Sequence, residues 1–361
     1  MLVDAILTDA PKGGVIFSKI EVREEDFPVT LNPIYTGICG TDRGIVAGSL
    51  SFAYNPHGYN RLVLGHESLC RVVSAEPNNY GIKAGDLVIP MVRRPGTCLN
   101  CLAGRSDNCS DGNKHEAGIT GMHGFMRSQF GDYPEYLIKV PEMAAAKIAV
   151  LTEPAKNVEK AMEVVDIISR RSIFTDNQGS FEGKAALVIG TGSEGFLYAM
   201  KCRDYGFRTI VTTRHSIDET KVGILSRIGA EFYDYTHDTG SEKQGFDLVI
   251  DTSGDPATVI RFLRKINNNG ILLLFGTNGK APGALMNGDD IDLIVERNIT
   301  VAGSVDGSRI HYERGLQDLI KWNAIYGGAA ERLITGYASP GSTGIFTAKP
   351  TGEIKTVISW E

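Results

Sequence analysis

The chain has no stretch approaching the ~18 uninterrupted apolar residues that a membrane-spanning helix requires. It has no surplus of basic charge: 37 Lys and Arg stand against 43 Asp and Glu, a formal net charge of −6. Binding to nucleic acid by bulk electrostatics is thereby excluded, because neutralising phosphates needs a basic surface. Cysteine is scarce, six in 361 residues, too few to staple a chain of this size with disulfides. There is no internal repeat, no low-complexity tract and no Gly-X-Y period. The first fifteen residues, MLVDAILTDAPKGGV, lack a basic start and an apolar core and do not read as a signal peptide. The expectation is a soluble, cytoplasmic protein with neither membrane nor nucleic acid as partner.

What is present is ordinary globular composition, 42% hydrophobic and 22% charged. At roughly 100–200 residues per domain, this length predicts two domains, each able to bury its own core. Glycine is the outlier, with 42 residues where about 7% is usual; the surplus predicts turns and close backbone approaches.

The texture changes along the chain. Residues 1–150 read as β structure, with short apolar runs (62–64, 69–73, 87–92) and long loops at 44–61 and 97–124. Residues 154–171 place Val158, Ala161, Met162, Val165 and Ile168 on one helical face, with Pro154 at its start. Strands at 185–189, 209–213, 247–251, 271–275 and 299–302 then alternate with helices at 193–205, 218–228 and 256–266, with a further short strand at 232–235. That alternation predicts an α/β fold with a doubly wound parallel sheet covered on both faces. A helix over 310–324 and Gly-rich strands follow. The plan is a β-rich catalytic domain over 1–154 and 307–361, interrupted by a nucleotide domain over 155–306.

The turn GTGSEG follows the first strand of that alternation and opens a helix. Gly190 permits the turn, Gly192 lets a pyrophosphate approach, and Gly195 allows close helix packing, with Ser193 and Glu194 between. The helix N-terminus offers N–H groups and a positive dipole end to phosphates. A glycine-rich turn with no ligand is the alternative. An NAD site places an acid about 20 residues on; here the segment reads Thr213, Arg214, His215, with no acid before Asp218. Arg214 can pair with a 2′-phosphate, which predicts NADP, or it is a solvated surface charge.

Four residues form a candidate catalytic zinc set: Cys39 in GICGTD, His66 and Glu67 in GHE, and Glu153 in LTEP. A thiolate, an imidazole and a carboxylate leave the fourth position open, as catalysis needs. Two carboxylates and a thiolate would place three negative charges on one ion, so only one carboxylate binds directly at a time; which one stays open. Asp42 is placed to orient His66. Cys98, Cys101 and Cys109 lie within twelve residues on the long polar loop. That spacing predicts a closed structural zinc, with Asp111 or His115 as fourth ligand, or else a disulfide and one thiol. Cys70 and Cys202 read as packing residues.

Taken in order, these motifs resemble the zinc-dependent medium-chain dehydrogenases, whose architecture joins a GroES-like domain to a Rossmann domain. Longer segments, HEAGITGMHGFMR at 115–127, LTEPAKNV at 151–158, DTSGDPAT at 251–258, FGTNGKAPG at 275–283 and VERNITVAGSVDGSRIH at 295–311, resemble the archaeal glucose dehydrogenases of Thermoplasma type. The resemblance implies oxidation of the C1 hydroxyl of D-glucose, often also of D-galactose, to the lactone with NADP and zinc. It implies sugar catabolism of Entner–Doudoroff type and a homotetramer, with the active site between the two domains. It implies Thr41 at the start of a proton relay, and Glu116, Glu153, Asn157 and Asp306 at the sugar. Phe275, Gly276, Thr277, Ser304 and Val305 would line the nicotinamide. The resemblance implies four lobe cysteines, and Gly104 stands where the third is expected; relatives can supply a carboxylate instead, which favours Asp111. Another aldose or polyol dehydrogenase, and a non-catalytic NADPH-binding protein, are the competing readings.

Overall fold

The computed structural model describes residues 1–24, 26–112, 115–141, 146–171, 181–236, 245–277, 283 and 286–361. The part of the 275–283 motif between 278 and 282 lies outside the described residues. The chain divides into two compact units: Met1–Lys156 with Asp306–Lys321 and Ile334–Glu361, and Asn157–Val305 with Trp322–Leu333. The return of Trp322–Leu333 to the second unit differs from the expected boundary at 306. Trp322 is fully buried and its indole N–H reaches Asp204 of that unit at 3.4 Å.

The strand Val29–Gly37 organises the first unit. It pairs antiparallel with Glu67–Ala75, Lys355–Ser359 and Phe130–Asp132. Side chains of a strand alternate between faces, so Val29 and Leu31, two residues apart, share one. Val29 and Leu31 pack with Cys70, Val72, Val88, Phe125 and Phe130, while Ile38, just beyond the strand, joins Ile6, Leu64, Met126 and Ile358. Cys70 is the expected packing thiol, and burial pushes it up to about 12. The loops read at 44–61 and 97–124 are partly structured, with a helix at Leu99–Leu102 and strands at His115–Ala117 and Gly121–Met122.

Among the described residues of the second unit, six parallel strands lie side by side in the order Glu231–Tyr233, Arg208–Thr212, Ala185–Ile189, Phe246–Asp251, Ile266–Leu274, Thr300–Gly303. The order reverses direction between Ala185–Ile189 and Phe246–Asp251, and ligands bind beyond the carboxyl ends of strands at such a switch point. Cys202 is fully buried, as a packing residue should be. The helix expected over 256–266 stops at Leu263, and Ile266 already belongs to the next strand. Ile266 continues the helical apolar spacing, so periodicity alone carries the helix too far; the Phe246 N–H, donating to the Lys265 carbonyl at 2.9 Å, starts the sheet there. A helix at Gly288–Glu296, capped by Asn287, was not expected. No helix among the described residues is long and apolar enough to cross a membrane.

The rings of Phe125 and Phe130 stack at 5.1 Å between centroids in a fully buried position. Phe130→Ala is expected to lower the unfolding free energy by about 3–5 kcal/mol. A urea midpoint shifted by the equivalent of less than 1 kcal/mol would show that this core collapses around the deletion.

Candidate active site

The register between two strands assembles the first cluster. Gly37 lies opposite Glu67. Cys39 follows one strand by two residues and His66 immediately precedes the other, so both arrive at the same edge. The ligand atoms of Cys39, His66 and Glu67 all lie within 4.8 Å of one another. Thiol, imidazole and carboxylate are a donor set that suits Zn²⁺. Gly37 must be glycine, because a Cβ there would collide with the Glu67 carboxylate. Gly65 holds φ +88°, and Gly118 presses against its backbone, so the HEAG motif clasps the loop that carries His66.

Asp42 fastens this arrangement. It is fully buried; one oxygen accepts from the Cys39 N–H at 2.8 Å, the other accepts from the Gly65 N–H at 3.2 Å and lies 3.4 Å from His66 Nδ1. The first bond also closes the N-terminus of the helix Gly40–Val46, for which Cys39 is the cap residue. Burial opposes a charge on His66, but the Asp42 carboxylate outweighs it and holds the imidazole well above its usual range. Thr41 Oγ1 stands 3.8 Å from Cys39 Sγ.

The two candidate carboxylates differ. Glu67 is in the cluster, and its Oε1 accepts from Lys355 Nζ at 2.6 Å. Glu153 is not among the clustered atoms; its Oε1 lies 3.1 Å from Lys156 Nζ. Lys355 carries no motif and Lys156 falls within the LTEPAKNV segment, but nothing in their local spacing marks them as buried counter-ions.

The residues expected at the sugar are also engaged. Glu116 Oε1 accepts from Arg93 Nε at 3.0 Å and Nη2 at 2.7 Å. Asp306 takes a left-handed backbone conformation, φ +64°, and its carboxylate contacts Lys156 and Arg93. Burial would raise the Asp306 carboxyl, but the two cations hold it below its usual range. Asn157 is buried one helical turn beyond Glu153, and its Oδ1 has no hydrogen-bond partner among the described residues.

In the cysteine lobe, the sulfurs of Cys98, Cys101 and Cys109 also lie within 4.8 Å of one another, and none is in a disulfide. The Ser110 backbone N–H, donating to Cys98 Sγ, is the main influence drawing that thiol down to about 6, while burial pushes Cys101 up to about 11. Asp111 Oδ1 is 2.7 Å from Cys109 Sγ, and its other oxygen accepts from Cys98 N–H at 3.1 Å. His115 instead faces Gly121, where an added Cβ would meet its Nδ1 at 2.8 Å.

In the second unit, Gly190 sits at φ +122°, where a Cβ would strike Thr252, and a Cβ at Gly195 would strike the Gly190 carbonyl. The helix Ser193–Asp204 begins after Gly192, with Ser193 donating to Glu194 at 2.9 Å. Thr213, Arg214 and His215 follow the next strand, with Arg214 exposed and 3.6 Å from Asp255. Asp218, the first acid after them, caps the helix Glu219–Ile228 through the Lys221 N–H. Phe275 and Gly276 lie just beyond the fifth strand, both bonded through their N–H groups to the Asp251 carbonyl, with Thr277 next and exposed. Ser304 Oγ, beside exposed Val305, is buried with no hydrogen-bond partner among the described residues.

Residues 146–360 match the family described as glucose dehydrogenase C-terminus, and residues 26–149 match the alcohol dehydrogenase GroES-like domain. The chain is 55% identical over 360 residues to glucose 1-dehydrogenase of Thermoplasma acidophilum, covering 99% of each. It is 40% identical over 359 residues to glucose 1-dehydrogenase of Metallosphaera sedula, covering 99% of this chain and 98% of that one. Among solved structures, Haloferax mediterranei glucose dehydrogenase in complex with NADP, Zn and gluconolactone superposes with a TM-score of 0.83 at 26% identity, covering 99% of each chain.

Asp42→Ala strands buried donors at Cys39 and Gly65, and is expected to cost about 1–3 kcal/mol of stability in urea unfolding. Asp42→Asn keeps one acceptor of the two and is expected to lose less; equal losses would show that a single acceptor cannot hold the loop.

Proposed function

The chain belongs to the glucose dehydrogenase family of the zinc-dependent medium-chain dehydrogenases, and we propose that it oxidises the C1 hydroxyl of D-glucose, and also of D-galactose, to the aldonolactone with NADP. The observation that carries this reading is the convergence of Cys39, His66 and Glu67 on one point, with Asp42 behind them. Bound there, zinc supplies a Lewis acid that acidifies the sugar hydroxyl, and NADP supplies the hydride acceptor.

The chain's own residues hold and orient. Cys39 and His66 are the fixed ligands, and the geometry favours Glu67 as the carboxylate within reach. Glu153 is then a ligand only in some states, or a sugar contact; Lys156 holds its charge meanwhile. Thr41 relays the C1 hydroxyl proton, accepting it while giving its own to the cofactor ribose or a water chain. Glu116 and Asn157 bond sugar hydroxyls, a polar lining that a simple alcohol would not need. Cys98, Cys101, Cys109 and Asp111 hold a second, structural zinc. The GTGSEG turn, from Gly190 through Gly192, Ser193 and Glu194 to Gly195, cradles the pyrophosphate. Phe275, Gly276, Thr277, Ser304 and Val305 line the nicotinamide. Arg214, with Thr213 and His215, reads the 2′-phosphate, since Asp218 is occupied as a helix cap. A cytoplasmic homotetramer serving sugar catabolism of Entner–Doudoroff type completes the proposal.

A sugar panel assayed with both cofactors, before and after chelation, tests the reaction. Expected is NADP reduction with glucose and galactose that is lost on metal removal and restored by zinc. No turnover with either sugar in zinc-replete protein would sink the reading. Arg214→Ala is expected to lower the NADP-to-NAD ratio of kcat/KM by about tenfold or more; an unchanged ratio would remove Arg214 from cofactor choice.

A further inference from the structure

Five charged side chains form an alternating row inside the first unit. Glu116 is bonded by Arg93; Arg93 Nε also lies 2.7 Å from Asp306 Oδ2; the other Asp306 oxygen pairs with Lys156; and Lys156 reaches Glu153 at 3.1 Å. The side chains of Arg93, Asp306 and Lys156 are 5%, 5% and 2% exposed. A charge buried this deeply is stable only where it is paired, so each member depends on its neighbours.

Arg93 is the pivot. It stands directly opposite Glu116 in the pairing of Arg93–Arg94 with His115–Ala117, the closest approach a sheet offers two side chains. Both of its bonds to Glu116 fall on Oε1, which fixes the rotation of the carboxylate. Its Nη1 donates to the carbonyls of Ser106 and Asp107 at 3.5 and 3.3 Å, so the guanidinium fork is held from a third side. Asp306, by contrast, is held between two cations. A Cβ at Gly307 would lie 2.9 Å from Lys156 Cδ, so the chain beside Asp306 is shaped to admit that lysine. Tyr312 closes the row, its ring 5.5 Å from the Lys156 ammonium and its hydroxyl accepting from the Val92 N–H at 3.0 Å.

We propose that Arg93 is a positioning residue for Glu116, and that Asp306 acts on the sugar only through Arg93. This rests on the reading of Glu116 as a sugar contact. The resemblance implied direct sugar contact for Asp306; in this proposal it is the anchor that aims the arginine.

The test uses the full-length, zinc-replete protein with NADP, D-glucose and a set of monodeoxyglucoses. A carboxylate that bonds one hydroxyl makes the wild type discriminate against the sugar lacking it. Glu116→Gln identifies that sugar; if it leaves every ratio unchanged, the reading of Glu116 fails and the proposal with it. With that sugar identified, Arg93→Met is expected to raise KM for glucose about tenfold or more, with kcat changing less, and to collapse the discrimination. Arg93→Lys, which keeps the charge and loses the fork, restores part of it and carries the test if the methionine variant does not fold. Asp306→Asn is expected to move discrimination in the same direction by a smaller factor. If the Arg93 variants lower kcat/KM for all sugars equally, Arg93 is structural and the proposal is overturned. If Asp306→Asn still erodes discrimination in an Arg93→Lys background as fully as in the wild type, Asp306 touches the sugar independently and that half falls.

Discussion

The antiparallel register that sets Gly37 opposite Glu67 is the constraint from which the candidate site follows. A shift of one residue would send every side chain of that strand to the other face. The shift is opposed by the apolar core that Val29 and Leu31 help to fill. With the register held, Cys39 and His66 leave the ends of neighbouring strands at the same level. Asp42 ties both segments together by accepting from Cys39 and Gly65. Packing energy spread over the cores is thus converted into the placement of a few polar atoms.

Around that placement the first unit handles charge by pairing. Glu67 meets Lys355, Glu153 meets Lys156, Asp306 meets Lys156 and Arg93, and Glu116 meets Arg93. The pairs hold these carboxylates in one orientation, and orientation is what recognition of a polyhydroxylated ring would require. The second unit works with backbone instead. Its glycine turn removes side chains where phosphates would approach, and Asp218 is used as a helix cap.

Legibility followed physical cause. Strands of the second unit are covered on both faces and read as continuous apolar runs, as Ala185–Ile189 and Phe246–Asp251 do. In the first unit the two-residue strands Arg93–Arg94 and Gly121–Met122 have no period to detect. Local spacing also carried one helix through Ile266, where a backbone bond from Phe246 begins a strand. That Cys39 belongs with His66, and the three lobe cysteines with one another, was legible from motifs occurring together and from close spacing, since a lone cysteine or histidine usually only packs.

Sequence alone therefore determined the alternation of strands and helices, the glycine turn that opens a helix and the kinds of atoms that could be offered to a metal, because each is written in residues close together in the chain. Partnership was decided only by tertiary structure. Lys355 reaches Glu67 across 288 residues and Lys156 reaches Asp306 across 150. That Glu67 rather than Glu153 joins Cys39 and His66, and that Asp111 rather than His115 adjoins the lobe thiols, depends on strand register and loop path. Those are settled by the summed burial of whole cores, which no local spacing encodes.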